Sequence, residues 1–408
     1  MPSELTTLGA VVEIRGGGTP ATDEPRFWNG DIPWVSPKDM KSDEISTSAD
    51  WITLDAIENS AASLIPPGAV LAVVRSGILA RTVPVGVTTR PLAVNQDIKA
   101  LCPGPRILPR FLFYFLLASE PALLARVSRA ATVHRLSTDD LRNLPLTLPP
   151  LSEQKRIVAI LDEVFEGIRI ATANAEKNLA NARELDVALI EGFLRDLPSD
   201  VQSSIGDVTD MVVGFAFKSR QYTDAPEGVT LLRGDNIVQG ALRWEDAKRW
   251  PQGDVKPYSD YLLRANDTVI AMDRTWVKAG VKFAQLSEQD LPCLLVQRVA
   301  RLRCRHDLNH RFLFHLLRSR QFERYVLSIQ GGLGVPHISG GQIAAFVFAK
   351  PDLAEQGRVA EILDNASEAL IAKAEAYRDR LAGVERLKQS ILARAFSGQL
   401  TATKGLAA

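Results

Sequence analysis

Long apolar runs are missing from this chain of 408 residues. No segment approaches the roughly 18 consecutive apolar residues of a membrane-crossing helix. The opening Met1-Pro-Ser-Glu-Leu5 has no basic stretch with an apolar run behind it, so no signal peptide is expected and the chain reads as cytoplasmic. Cysteine is scarce. Cys102, Cys293 and Cys304 show no C-x-x-C spacing and no histidine partner, which predicts buried packing residues in a reducing compartment. Neither charge is in excess: 48 Lys+Arg stand against 48 Asp+Glu, which excludes a protein that coats phosphate by bulk charge. There is no G-x-x-x-x-G-K-[ST] loop to cradle a nucleotide, and no Asn/Asp-Pro-Pro-aromatic segment of the kind amino-methyltransferases carry. No His-Glu-x-x-His is present, and His306 with His310 lacks a third ligand nearby, so neither a metal nor a cofactor is expected. Pro226-Glu227 with Asp246-Ala-Lys248 is the nearest approach to a nuclease site, and it reads as solvated loop charge.

Proline is absent where it matters most. The chain has 23 prolines, yet none lies in 151–197 or 353–400, so each stretch reads as one long helix. In the first, Ile157, Leu161, Val164, Ile168, Ala171, Ala175, Ala182, Leu185 and Leu189 recur at coiled-coil spacing. In the second, Val359, Leu363, Ala366, Leu370, Tyr377, Val384 and Ile391 do the same, and the alanines allow close approach. At 1.5 Å per residue such helices are roughly 60–70 Å long. Ser152 after Pro149-Pro150-Leu151, and Asp352 after Pro351, read as helix-start signals, while Pro198-Ser199-Asp200 closes the first helix.

What the chain has in abundance is itself. Arg110-Phe-Leu-Phe-Tyr114 returns as Arg311-Phe-Leu-Phe-His315, and Glu153-Gln154 with Arg156 to Asp162 returns as Glu355-Gln356 with Arg358 to Asp364. A repeat of about 200 residues is a whole domain plus a helix, so two similar halves related by an approximate twofold are expected. Each half reads as mixed α/β: Ala69–Val74, Val83–Val87 and Asp267–Met272 look like strands between proline and glycine turns. The aromatic segments 110–118 and 311–319 are apolar on nearly every side and read as buried helices. Residues 1–150 carry 14 Lys+Arg against 15 Asp+Glu, and residues 201–350 carry 20 against 15, so any nucleic-acid face must be a local patch on each half. If the two helices pair antiparallel, they form a ruler with a globular reader at each end.

This doubled order resembles the DNA-specificity subunit of type I restriction-modification systems. The resemblance rests on Pro150-Leu-Ser-Glu-Gln154 and Pro351-Asp-Leu-Ala-Glu-Gln356 opening the helices, and on Leu387-Lys-Gln-Ser-Ile-Leu392 and Ala395-Phe-Ser-Gly-Gln-Leu400 at the end. Gly16-Gly-Gly-Thr-Pro20, Ile32 to Met40 and Asn95-Gln96-Asp97 match as well, whereas the second half has Val213 to Ser219 in place of a Gly-Gly-Thr-Pro. The resemblance implies a mixed α+β fold: two target-recognition domains, 1–150 and 198–352, alternating with long helices 151–197 and 353–400 in an antiparallel coiled coil, and a tail 401–408. It implies a subunit without catalysis that reads a bipartite asymmetric site in double-stranded DNA, one domain per half. Partners would be two methyltransferase subunits and, in the full complex, restriction/translocase subunits. A coiled-coil adaptor that holds two protein partners without touching DNA is the competing reading, and a divergent nuclease a third.

Base readers are expected among polar residues on loops flanked by glycine, serine or proline, because Arg on guanine and Asn or Gln on adenine need a side chain projected into the groove. In the first half these are Thr19, Trp34, Lys38, Arg75, Ser76, Arg81, His134, Arg135 and Ser137. In the second they are Lys218, Arg220, Arg233, Asn236, Arg274, Trp276, Lys278, His337 and Ser339. Gln96 and Gln297 recur between apolar neighbours and read as core hydrogen-bonding groups. Arg298, Arg301, Arg303 and Arg305 form the densest basic cluster, either a phosphate-facing strand or a charged sheet edge.

Overall fold

The structure, a computed structural model, describes residues 3–129, 133–197, 201–331, 335–397 and 399. The expected stop at 198–200 and the tail 401–408 lie outside these residues. The chain divides into two compact units, Met1–Ala175 with Asp379–Ala408, and Glu176–Arg378. Each long helix is therefore shared between the units.

In the first unit a five-stranded sheet is built from β1 (Val12–Gly16), β2 (Glu44–Ile45), β3 (Val70–Val73), β5 (Val85–Thr88) and β6 (Ile98–Pro103), in the order β1-β6-β3-β5-β2. The short β4 (Arg75–Ser76) pairs antiparallel with β7 (His134–Arg135), placing Arg135 opposite Arg75 and His134 opposite Ser76. A second sheet contains Trp28–Val35 and Leu92–Val94 in parallel register. α1 (Pro109–Ala118) follows β6, and Phe111 through Leu116 are all buried, as its all-round apolar sequence requires. Over these six residues the helix has no polar face because their side chains are buried, while Arg110 at its start stays partly exposed. α2 then runs over Leu151–Arg195.

The second unit repeats the plan in four strands. β8 (Thr209–Val213), β9 (Thr268–Ala271), β10 (Phe283–Gln285) and β11 (Val299–Cys304) are ordered β8-β11-β9-β10. A parallel pair, Val229–Leu232 with Cys293–Leu295, stands where the first unit has its own. α3 (His310–Arg318) matches α1, and α4 covers Leu353–Phe396.

The repeated Glu-Gln of the helix openings has a physical reason. Gln154 is fully buried; its Oε1 accepts from the Leu108 N–H at 2.9 Å, and its Nε2 donates to the carbonyls of Arg106 at 2.8 Å and Pro149 at 2.9 Å. Gln356 does the same with the Asn309 N–H at 2.8 Å and the carbonyls of Asp307 at 3.2 Å and Pro351 at 2.8 Å. One side chain thus fixes each long helix to the loop that enters the aromatic helix, with every polar group satisfied. Asp352 caps α4 through the Glu355 N–H at 2.9 Å, but Ser152 lies inside the first turn of α2.

In the first unit the opening turns of α2 share a core with the closing turns of α4: Ile157, Leu161, Leu392 and Ala395 are buried together. In the second, Ile190 near the end of α2 shares a core with Val359, Ala360 and Leu363 at the start of α4. The helices pair antiparallel. The expected seam slips near the end of α2, where Leu185 is 51% exposed and Asp186 and Ile190 turn inward. A 3.6-residue helix drifts away from a strict heptad, and Asp186 tolerates the seam because Ser367 Oγ donates to it at 2.8 Å and Arg318 pairs with it.

Asp162 anchors the first aromatic helix, accepting from Arg110 Nε at 3.0 Å and the Tyr114 hydroxyl at 2.6 Å. In the second unit Asp364 pairs with Arg311 and lies 2.6 Å from His315 Nε2, with Arg318 3.3 Å from the other ring nitrogen and Asp186 nearby. Burial lowers the His315 pKa from the ordinary imidazole value of 6.5, against the opposing pull of Asp364. A histidine with a depressed folded pKa stabilises the fold above its unfolded value, and that contribution is lost as the pH falls through the folded value. Urea unfolding should therefore show stability declining below about pH 6.5, and His315→Tyr, which installs the first unit's residue, should flatten that decline. An unchanged pH slope would contradict the assignment.

Candidate nucleic-acid interface

In the first unit the turn before β6 is set by Asn95, whose buried side chain accepts from the Asp97 N–H at 3.0 Å and donates to Asp97 Oδ2 at 3.2 Å. That geometry turns Gln96 outward, where its Oε1 accepts from the Thr19 hydroxyl at 2.6 Å. Arg75 on β4 lies 3.4 Å from Asp97. With Ser76, His134 and Arg135 on the paired strands, these side chains share one end of the main sheet.

The corresponding end of the second unit opens into a cleft of about 1020 Å³, lined by the cations Arg233, Lys248, Arg274, Lys282 and Arg298 together with Gln297. Asp224, Asp235 and Asp273 also reach it, so it is polar rather than uniformly basic. Lys282 is half-buried and donates to the Gly234 carbonyl at 2.6 Å; burial lowers its pKa, and Asp235 and Asp273 oppose that shift. Arg274 and Arg298 sit at φ 46° and 65°, the left-handed region that non-glycine residues rarely enter. The cleft thus offers forked guanidinium donors and carboxylate acceptors on one polar surface.

The expected readers divide. Thr19, Arg75, Ser76, His134 and Arg135 are brought together in the first unit, and Arg233, Arg274 and His337 in the second, where the backbones of His337 and Asp273 pair antiparallel. Trp34 belongs to the core instead: it is 9% exposed and its indole donates to the Gly18 carbonyl at 3.0 Å. Asn236 is likewise buried, accepting from the Arg233 N–H and donating to the Arg243 carbonyl, both at 3.0 Å. Trp276 is half-buried and donates to Glu323 at 2.7 Å. Ser137 and Ser339 each cap a short helix, which accounts for their recurrence. Lys38 is exposed and pairs with Asp50 at 2.7 Å. Arg81, Lys218 and Arg220 are exposed, and Lys278 lines a separate hollow with Arg318 and Glu323.

Three further expectations are corrected. Gln96 and Gln297 are exposed, because each lies in the turn before the long strand, not on it. The arginine cluster is mostly spent inside the fold: Arg301 is 3% exposed and pairs with Asp210 at 2.8 Å, and Arg303 pairs with the buried Asp267 at 2.7 Å. Burial lowers the Arg301 pKa, whereas the Asp267 hydrogen bond raises that of Arg303. Arg305 donates to the Asp207 carbonyl at 2.9 Å, which leaves Arg298 as the member that faces the cleft. Cys102 and Cys304 are only half-buried, while Cys293 is buried and its thiol is pushed up to about 12 by burial. Among the described residues no group of three or more His, Cys, Asp or Glu is placed to hold a metal ion. Among them also, no helix is long and apolar enough to cross a membrane.

Each unit thus carries a mixed sheet with polar loops at one end, packed beside antiparallel stretches of the two long helices. Residues 2–180 match the family described as the type I restriction modification DNA specificity domain. The chain is 37% identical over 163 residues to the Escherichia coli type I restriction enzyme EcoR124I/EcoR124II specificity subunit, a match covering 39% of this chain and 40% of that one. It is 25% identical over 305 residues to the Methanocaldococcus jannaschii type I restriction enzyme MjaVIII specificity subunit, covering 71% of this chain and 70% of that one. The first of these matches thus spans well under half of the relative's length. A solved chain from work on complex assembly of the type I R-M system shares the fold with a TM-score of 0.74, at 18% identity and 98% coverage of both chains.

Proposed function

We propose that this chain is the DNA-reading subunit of a type I restriction-modification complex, acting in the cytoplasm. Each globular half reads one part of a bipartite, asymmetric site in double-stranded DNA, and the long helices dock two methyltransferase subunits; restriction/translocase subunits join in the full complex. The chain itself performs no catalysis in this reading. The observation that carries it is the duplicated frame: the family match covers residues 2–180, and the buried glutamine clamp and anchored aromatic helix of that segment recur in the second unit.

The test is binding with the methyltransferase partner present. A mixed-sequence duplex should be bound with strong salt dependence, since released counterions make affinity fall steeply between about 50 and 200 mM salt. Methyltransferase binding that is indifferent to DNA and to salt would favour the adaptor instead. Methyl transfer or Mg²⁺-dependent cleavage by the purified chain alone would contradict the non-catalytic assignment.

A further inference from the structure

Backbone hydrogen bonds align the two candidate surfaces residue by residue. The Val74 N–H donates to the Asp97 carbonyl at 2.8 Å and its carbonyl accepts from Leu136 at 2.8 Å. The Met272 N–H donates to the Arg298 carbonyl at 2.8 Å and its carbonyl accepts from Ile338 at 2.9 Å. Leu136 and Ile338 are both 1% exposed, so the frames coincide in packing as well. Asp97 then corresponds to Arg298, Arg75 to Asp273, Ser76 to Arg274, Arg135 to His337, and Gln96 to Gln297.

The frame is repeated and the chemistry on it is inverted. Arg75 faces Asp97 at 3.4 Å in the first unit; Arg298 faces Asp273 at 3.7 Å in the second, the same ion pair with its ends exchanged. The cations are exposed and Asp273 is 42% exposed, whereas Asp97 is 22% exposed with its Oδ1 buried; with both guanidiniums in water, neither pair contributes much to folding. A guanidinium donates to guanine O6 and N7, whereas a carboxylate accepts from cytosine N4, so exchanging the ends exchanges the base preferred at a given place. Arg274 adds a second fork where the first unit has a hydroxyl, and both Arg274 and Arg298 are held in a left-handed backbone that aims them into one cleft.

We infer that positions 75, 76, 97 and 135 in the first unit, and 273, 274, 298 and 337 in the second, make the two half-sites differ, with Arg274 and Arg298 reading guanine in the second half-site. Gln96 and Gln297 are the reading group the halves share. This rests on the DNA-reading function proposed above, and it deepens that proposal to named residues and bases.

Three variants test it in the full chain with its methyltransferase, by sequencing methylated bases across a host genome beside wild type. Arg274→Ser installs the first unit's residue, Arg274→Lys keeps the charge and loses the fork, and Asp273→Arg with Arg298→Asp exchanges the ion pair end for end. Each should leave the first half-site and the spacing unchanged and alter only the second, with discrimination at a guanine falling about 10-fold or more in both Arg274 variants. The reciprocal Arg75→Asp with Asp97→Arg should alter only the first half-site. A second half-site unchanged in all three variants, or a change in the other half, overturns the inference. So does complete loss of methylation by variants whose thermal unfolding matches wild type, because those positions would then serve assembly, not choice of base. A wild-type chain that yields no bipartite motif contradicts the DNA-reading proposal itself, a separate outcome.

Discussion

Replacing Leu161 with Asp should destabilise the first unit by about 4 kcal/mol or more, whereas Ile168→Asp, two turns along the same helix, should cost less than about half of that. Leu161 is fully buried in the core that the opening of α2 shares with Leu392 and Ala395. A carboxylate there loses its water and displaces an apolar side chain whose loss alone costs roughly 2–5 kcal/mol. Ile168 is half-buried, so an aspartate at that position keeps contact with water. Two units make a single unfolding transition unsafe, and the measurement is therefore amide exchange followed peptide by peptide. Protection should fall across residues of the first unit in Leu161→Asp and stay near wild type in Ile168→Asp. Equal losses would mean that burial along the seam is wrongly placed.

The glutamine clamps give the second large effect. Gln154→Leu fills the volume but strips the partly buried Leu108 N–H and Arg106 carbonyl and the buried Pro149 contact of their partner, at a cost of about 2–4 kcal/mol to the first unit. Gln356→Leu should cost the second unit a similar amount through Asn309, Asp307 and Pro351. Because the clamps lie in different cores, the double variant should show the sum to within about 0.5 kcal/mol. Chemical denaturation with one probe in each unit reads both terms. A Gln154→Leu chain as stable as wild type would reduce the clamp to a bystander.

The repeat made the architecture legible before any coordinates. Phe111 to Leu116 are apolar in every direction and are buried in every direction, and two proline-free stretches became helices of 45 and 44 residues. Recurrence was less informative about side chains, because a repeated residue marks a repeated structural duty as readily as a repeated contact. Ser137 and Ser339 recur as helix caps, and Gln154 and Gln356 as buried clamps. Asp186 entered the seam because of Arg318, a partner about 130 positions away that no heptad count can supply. Gln96 and Gln297 looked buried because their neighbours are apolar, and only the turn held by Asn95 shows the first of them facing out. Arg301 and Arg303 looked free because their acidic partners, Asp210 and Asp267, come from other strands and turns.

On the proposed function, one chain reads two unlike half-sites with two like frames. Sequencing of methylated bases in a host that carries this chain and its methyltransferase, against the same host without the chain, tests it most directly. The expected result is a single motif in two specified parts, different in sequence, separated by a fixed run of unspecified bases, and absent without the chain. A continuous motif, or methylation that is the same with and without the chain, would contradict it.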